Sequence, residues 1–293
     1  MPSLGGSRVA RSAMIIVVGL TMASPVGCGG SSQAEQHRHA HRLRPVGSMA
    51  ALIAPARPAA REIRVPILTY HRVHQYATEL TKSIPDLTVE PSDFARVMAA
   101  LRGHGYRTIT DKQLFDALFF GAALPKKPLL VTVDDGYVDD LEQILPILKR
   151  EHMVATFFVI TRRVHEPGFL SERQIRRLAA AGMDIGAHTR THRDLTTLAP
   201  SVAHQEIAGS RSDLKRILGH PVYFFAYPFG THDAAIERDV RAAGFSMAVT
   251  TKAGAIESSQ DPLTMPRIHV GRRSRPASII ACIRAPSRGR CGD

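Results

Sequence analysis

From Ile63 onward the chain alternates short apolar runs with longer stretches in which apolar residues recur every three or four positions. The first pattern predicts buried strands, the second amphipathic helices. The strand runs are 65–70, 108–110, 129–133, 155–160, 184–187, 223–227 and 247–251. Between them, Ser92 or Asp93 heads a helix with Phe94, Val97, Met98 and Leu101 on one face and Gly103 at its end. Similar helical stretches cover 112–120, 139–151, 171–181, 201–218 and 234–243. Strict alternation of the two kinds implies a parallel sheet covered by helices. About seven such units predict an α/β fold, a distorted, incomplete (β/α) barrel of about seven strands, with an open doubly wound sheet as the alternative. In either architecture the working residues sit at the C-terminal ends of the strands.

The N-terminal region has neither period. Arg8 and Arg11 precede an apolar run over 13–23, and small residues lead to Gly27-Cys28, so 1–28 reads as an export signal. The run is shorter than the ~20 residues a bilayer core requires. A cysteine directly after the small residues, followed by Gly-Gly-Ser-Ser, resembles a lipoprotein signal whose Cys28 carries a lipid anchor to the membrane, although Pro25 departs from it and plain secretion is the alternative. Residues 29–62, rich in Ala, Pro, Arg, Ser and His, read as a flexible basic linker, and its His37, His39 and His41 as solvated residues. The folded domain is expected over 63–280 and a basic tail over 281–293.

With 293 residues, 44% hydrophobic and 22% charged, the chain can bury one sizeable core. A net charge of +12 favours anionic partners, among them an acidic envelope polymer. Scattered arginines, no Trp and no basic helix argue against nucleic-acid binding. Beyond Cys28 only Cys282 and Cys291 remain, and export permits a disulfide between them or two free thiols.

Chemistry concentrates at two strand ends. After 129–133 come Asp134-Asp135-Gly136-Tyr137. Neighbouring strand side chains point to opposite faces, so both carboxylates serve one site only if the chain leaves the strand there, as Gly136 permits. Two adjacent acids repel; a divalent cation relieves that repulsion and leaves one acid free as a base. Read alone, Asp-Asp-Gly is equally a turn. After 184–187 come His188 and His192, whose i, i+4 spacing can offer two imidazoles to one metal or serve as surface histidines.

Together with Phe225-Ala226-Tyr227-Pro228-Phe229-Gly230, these motifs resemble the polysaccharide deacetylase family, the NodB-like deacetylases, over about 65–269. The run Val65-Pro66-Ile67-Leu68-Thr69-Tyr70-His71-Arg72-Val73 resembles the subgroup that deacetylates poly-N-acetylglucosamine exopolysaccharides. The resemblance implies a metal-dependent hydrolase of acetamido groups on an N-acetylated cell-surface or extracellular polysaccharide. It implies Asp135, His188 and His192 as ligands of a divalent metal, by default Zn, with Co, Ni, Mn or Fe also suited to such a site. Asp134 becomes the general base, and the backbone N–H of Phe229, after Tyr227 and Pro228, the oxyanion donor. The general acid is His71, with His269 as its competitor. Many family members carry at position 226 an Arg that holds the catalytic Asp; Ala226 leaves open what orients Asp134. Two other functions remain: an esterase for O-acetyl groups, and a non-catalytic carbohydrate-binding envelope protein.

Overall fold

In a computed structural model, residues 59–76, 85–286 and 290–291 are described. The export signal, Cys28 and the histidines of the linker lie outside them.

Seven parallel strands form the frame: β1 (Ile67–Tyr70), β2 (Pro128–Val133), β3 (Thr156–Val159), β4 (Asp184–Ala187), β5 (Phe224–Ala226), β6 (Met247–Ala253) and β7 (Met265–Val270). Each pairs with the next, and β7 pairs with β1 through Ile268 opposite Leu68, so the sheet closes on itself. The closure is uneven. β6 and β7 meet at Val249–Met265 and again at Ala253–Arg267 with a shift of register between, and Pro266, which has no N–H to give a ladder, falls in that gap. The result is the distorted seven-stranded (β/α) barrel that the pattern predicts.

Its staves are not quite the expected ones. The run 108–110 yields only a two-residue strand, Arg107–Thr108, beside the start of β2 and off the barrel. The seventh stave is β7, whose sequence Met-Pro-Arg-Ile-His-Val has too many polar residues to read as a buried strand.

Alternation along the strands builds two cores. Ile67, Leu130, Phe158, Phe224, Ala226, Met247, Val249 and Met265 fill the barrel and rest on Leu114, Phe115 and Leu118 of one helix, Asp111–Phe120. Their neighbours Leu68, Tyr70, Val131, Val133, Phe157, Val159, Phe225 and Tyr227 face outward against the helical layer. Each large side chain so buried contributes roughly 1.5–3 kcal/mol. Gly186 is required inside: a Cβ there would lie 2.4 Å from the Phe158 ring and 2.9 Å from the Phe224 carbonyl oxygen.

The helices follow their sequence signals. Thr110 and Ser171 start theirs with capping boxes to Gln113 and Gln174, satisfying N–H groups that a helix start leaves open. The predicted helix over 139–151 is a π segment, Asp140–Ile144, followed by an α-helix, Leu145–Arg150. Pro146 explains this, because its ring and missing N–H forbid the regular bond one turn back, and a wider turn accommodates both. The α-helix Pro276–Arg284 and the short strand Arg290–Cys291, paired to β7, are the last elements described, and Cys282 is disulfide-bonded.

Candidate active site

The inward-facing positions change character toward the C-terminal end of the barrel. The middle layers are apolar, and Thr156 and Asp184 meet Asp111 at the opposite end; at the C-terminal end stand Thr132 on β2, Asp134 just after it, His188 after β4, and Arg267 and His269 on β7. The chain leaves each strand abruptly. Asp134 keeps the ladder to β1, donating its N–H to the Tyr70 carbonyl oxygen at 2.9 Å. Asp135 then turns into the left-handed region (φ 82°), followed by Gly136 (φ 78°), which brings the second carboxylate to the face where alternation would not place it. Thr189 (φ 61°), His192 (φ 60°) and Phe229 (φ 59°) share that conformation. Such residues cost about 1–3 kcal/mol each and persist only where the surroundings over-determine them. Among the described residues, four of the six non-glycine examples fall in these loops, the other two being His152 and His165.

Three donors converge. Asp135 Oδ1 lies 3.7 Å from Nε2 of His188 and 3.7 Å from Nε2 of His192, and all three ligand atoms lie within 4.8 Å of one another. Asp135 Oδ1 is buried with no hydrogen-bond partner. His188 Nδ1 is 2.8 Å from the Ala226 carbonyl oxygen, so Nδ1 carries the proton and Nε2 presents its lone pair to the cluster. Burial, reinforced by the neighbouring Asp134 charge, pushes the Asp135 carboxyl up to about 7 in the absence of a cation. Burial lowers His188 to about 3 and also lowers His192, keeping both imidazoles neutral. A neutral histidine pair around an unsatisfied carboxylate is the donor set a zinc-like divalent cation needs.

Asp134 is arranged for a different task. Its two oxygens accept from Arg267 Nη1 and Nη2 at 2.9 and 2.8 Å, a bidentate pair buried on both sides. Burial alone would raise this carboxyl, but the Arg267 charge and its hydrogen bonds win and hold it well below the usual carboxylate range. Arg267 is itself fixed, donating Nε to the Thr250 carbonyl oxygen at 2.8 Å and Nη1 to Thr132 Oγ1 at 3.1 Å. Sequence reasoning missed Arg267. The available signal was its spacing of two from His269 on one strand, which puts both on the same face. Arg267 makes the contact that the resemblance assigns to an Arg at position 226.

The two histidines read as competitors stand together, with ring centroids 5.6 Å apart. His71 is half-buried, and its Nδ1 is enclosed with no hydrogen-bond partner. Burial, only partly opposed by Asp134, lowers it to about 4.

Phe229 is 61% exposed and sets its ring 4.7 Å from that of His192. Pro228 is buried. Tyr227, expected beside the substrate, sends its side chain outward into the helix-facing core, as Tyr70 does, so neither ring can stack on a sugar.

Glu206, on the helix Pro200–Leu218, is a second residue that sequence reasoning missed. Its carboxylate accepts from the N–H groups of Arg190 and Thr191 at 3.0 and 2.7 Å and from Thr191 Oγ1 at 2.7 Å, pinning the loop between the two histidines. Glu206→Ala leaves these donors unpaired. The expected cost is about 1–3 kcal/mol, read from the denaturation midpoint, with metal affinity lowered about tenfold or more in a competition titration.

The chain matches the polysaccharide deacetylase family model over residues 121–248. YxkH of Bacillus subtilis, itself assigned to the polysaccharide deacetylases, is 30% identical over 207 residues, 71% of each chain. A poly-β-1,6-N-acetyl-D-glucosamine N-deacetylase of Staphylococcus epidermidis is 25% identical over 228 residues, covering 69% of this chain and 78% of its own length. The deacetylase PplD of Streptococcus pyogenes, solved in complex with acetate, superposes with a TM-score of 0.71 at 26% identity, over 76% of this chain and 99% of that one. The barrel, with Asp135, His188 and His192 gathered at one mouth, agrees with these matches, and the chain belongs to the polysaccharide deacetylase family.

Proposed function

We propose that the protein is an exported, metal-dependent N-deacetylase acting on acetamido groups of a cell-surface or extracellular polysaccharide. The observation that carries this reading is the convergence of Asp135, His188 and His192 beside a separately held Asp134. The N-acetylated substrate named for the staphylococcal relative supports the acetamido bond. Export, with a lipid on Cys28, rests on the N-terminal pattern.

Asp135, His188 and His192 would hold a divalent cation, for which Zn is the default. Bound there, it would supply positive charge to polarise the acetyl carbonyl and to acidify a water. Asp134, ionised at all working pH values, accepts the proton of the attacking water. Arg267 keeps that carboxylate in one orientation throughout. The N–H of Phe229, presented by a left-handed backbone, faces the developing oxyanion. His71, with His269 beside it, passes to the departing amine the proton that Asp134 has taken from the water, so that Asp134 ends ionised and His71 neutral as before. Because burial opposes its charged form, an imidazolium formed at His71 gives up its proton readily.

The test is acetate release from N-acetylglucosamine oligomers and from O-acetylated xylan, with and without chelator. The expected result is chelator-sensitive release from the former. Release from xylan alone identifies an esterase, and sugar binding without acetate under any metal identifies a binding protein.

A further inference from the structure

The loops that follow the barrel strands carry charge the deacetylation chemistry does not use. Arg162 lies in the turn after β3, Arg193 directly after His192, and Arg273 in the turn after β7. All three are exposed, and among the described residues none makes an ion pair or side-chain hydrogen bond. The Arg162 N–H donates to the Arg190 carbonyl oxygen at 2.9 Å, so the first two loops are joined. Arg163 is next along in the same turn. Its guanidinium sits 4.2 Å from the Phe169 ring centroid and pairs with Glu166. Acids on these three loops are fewer: Glu166 pairs with Arg163, and the half-exposed Asp194 accepts from Thr196 and Thr231.

From this rim we infer that the substrate is an anionic polysaccharide, one whose N-acetylated sugars alternate with carboxylate- or phosphate-bearing units. The proposal rests on the deacetylase reading and narrows its substrate class. Each acetyl group removed leaves an ammonium on the polymer. A neutral chain therefore becomes a polycation as reaction proceeds, and unpaired guanidinium groups around the mouth repel it. An anionic chain is drawn in by the same charges, and each new ammonium only reduces its net charge toward zero, which loosens the product without repelling it. Guanidinium forks also match carboxylate and phosphate oxygens geometrically.

The experiment compares three oligomers of equal length: neutral N-acetylglucosamine, N-acetylglucosamine alternating with glucuronate, and N-acetylglucosamine joined through phosphodiesters. Acetate release and affinity electrophoresis are measured for each on the full chain at low and high salt. The expected result is a KM about tenfold lower for at least one anionic oligomer at low salt, a gap that closes near 0.5 M salt, where charges about 5 Å apart are screened. The combined variant Arg162→Gln, Arg193→Gln, Arg273→Gln should abolish that preference while leaving the initial rate on the fully acetylated neutral oligomer, which carries no charge for the rim to act on, unaltered. Equal KM for neutral and anionic chains overturns the proposal, as does a preference that survives the triple substitution. Which anionic oligomer is preferred separates carboxylate from phosphate. If no oligomer releases acetate, the deacetylase reading fails on its own, and electrophoretic binding still decides whether the rim selects anions.

Discussion

Exchanging Asp134 for Asn is expected to reduce kcat for acetate release by about 10²–10⁴-fold, the usual worth of a positioned general base. The amide has the shape of the carboxylate and can still accept from Arg267, but it cannot take a proton from water. KM should change little, because Asp134 is buried behind the cluster and not part of the exposed rim. Metal content should also be preserved, since Asp135, His188 and His192 are untouched; elemental analysis of the purified variant checks this. Removing one charge of a buried pair leaves the Arg267 guanidinium uncompensated, so a stability loss of about 3–5 kcal/mol accompanies the loss of rate. Thermal melts separate the two effects, because the catalytic loss persists at temperatures where the variant is fully folded. A folded, metal-loaded variant retaining more than a tenth of the parent kcat would remove Asp134 from the mechanism.

Arg267→Gln tests the other half of the pair, and its signature is a displaced pH profile. In the parent chain the Asp134 carboxyl lies well below the usual carboxylate range because the Arg267 charge overcomes burial. Its depressed value contributes stability above the unfolded value of about 4, lost only as pH falls through the folded one. No acid limb from this group is therefore expected in the rate above about pH 4. Without the guanidinium, burial prevails and the carboxyl rises. The acid limb of kcat/KM should then move upward by at least about one to two pH units. The sign of the stability linkage reverses as well: the variant carries an unpaired buried carboxylate at pH 7, loses about 3–5 kcal/mol there, and regains part of it as acidification neutralises the group. Arg267→Lys restores the charge without the two-pronged geometry and should recover the pH profile more fully than kcat. An acid limb unmoved in Arg267→Gln would show that something other than this pair sets the state of Asp134.

Much of this site is legible along the chain because its parts are local. Asp134-Asp135-Gly136 and His188 to His192 each follow an apolar run closely enough that period, turn chemistry and spacing mark them. The barrel is legible for the same reason, since alternation of strand and helix periods is a local property that marks six of its seven staves. What the chain does not disclose are partners that share no neighbourhood. Arg267 stands 133 residues from Asp134, on a strand whose proline and charges hide its burial, and only barrel closure through β7 brings them together. Glu206 reaches its loop from a helix whose face is set by packing. Tyr227 looks like a substrate contact beside Pro228 and Phe229, yet strand alternation, fixed only once the barrel has an inside, turns its ring away. The sequence by itself determined which groups can do chemistry and at which ends of which strands. The tertiary structure decided their charge states and orientations, because burial and ion pairing depend on residues that the fold, and not the chain order, makes neighbours.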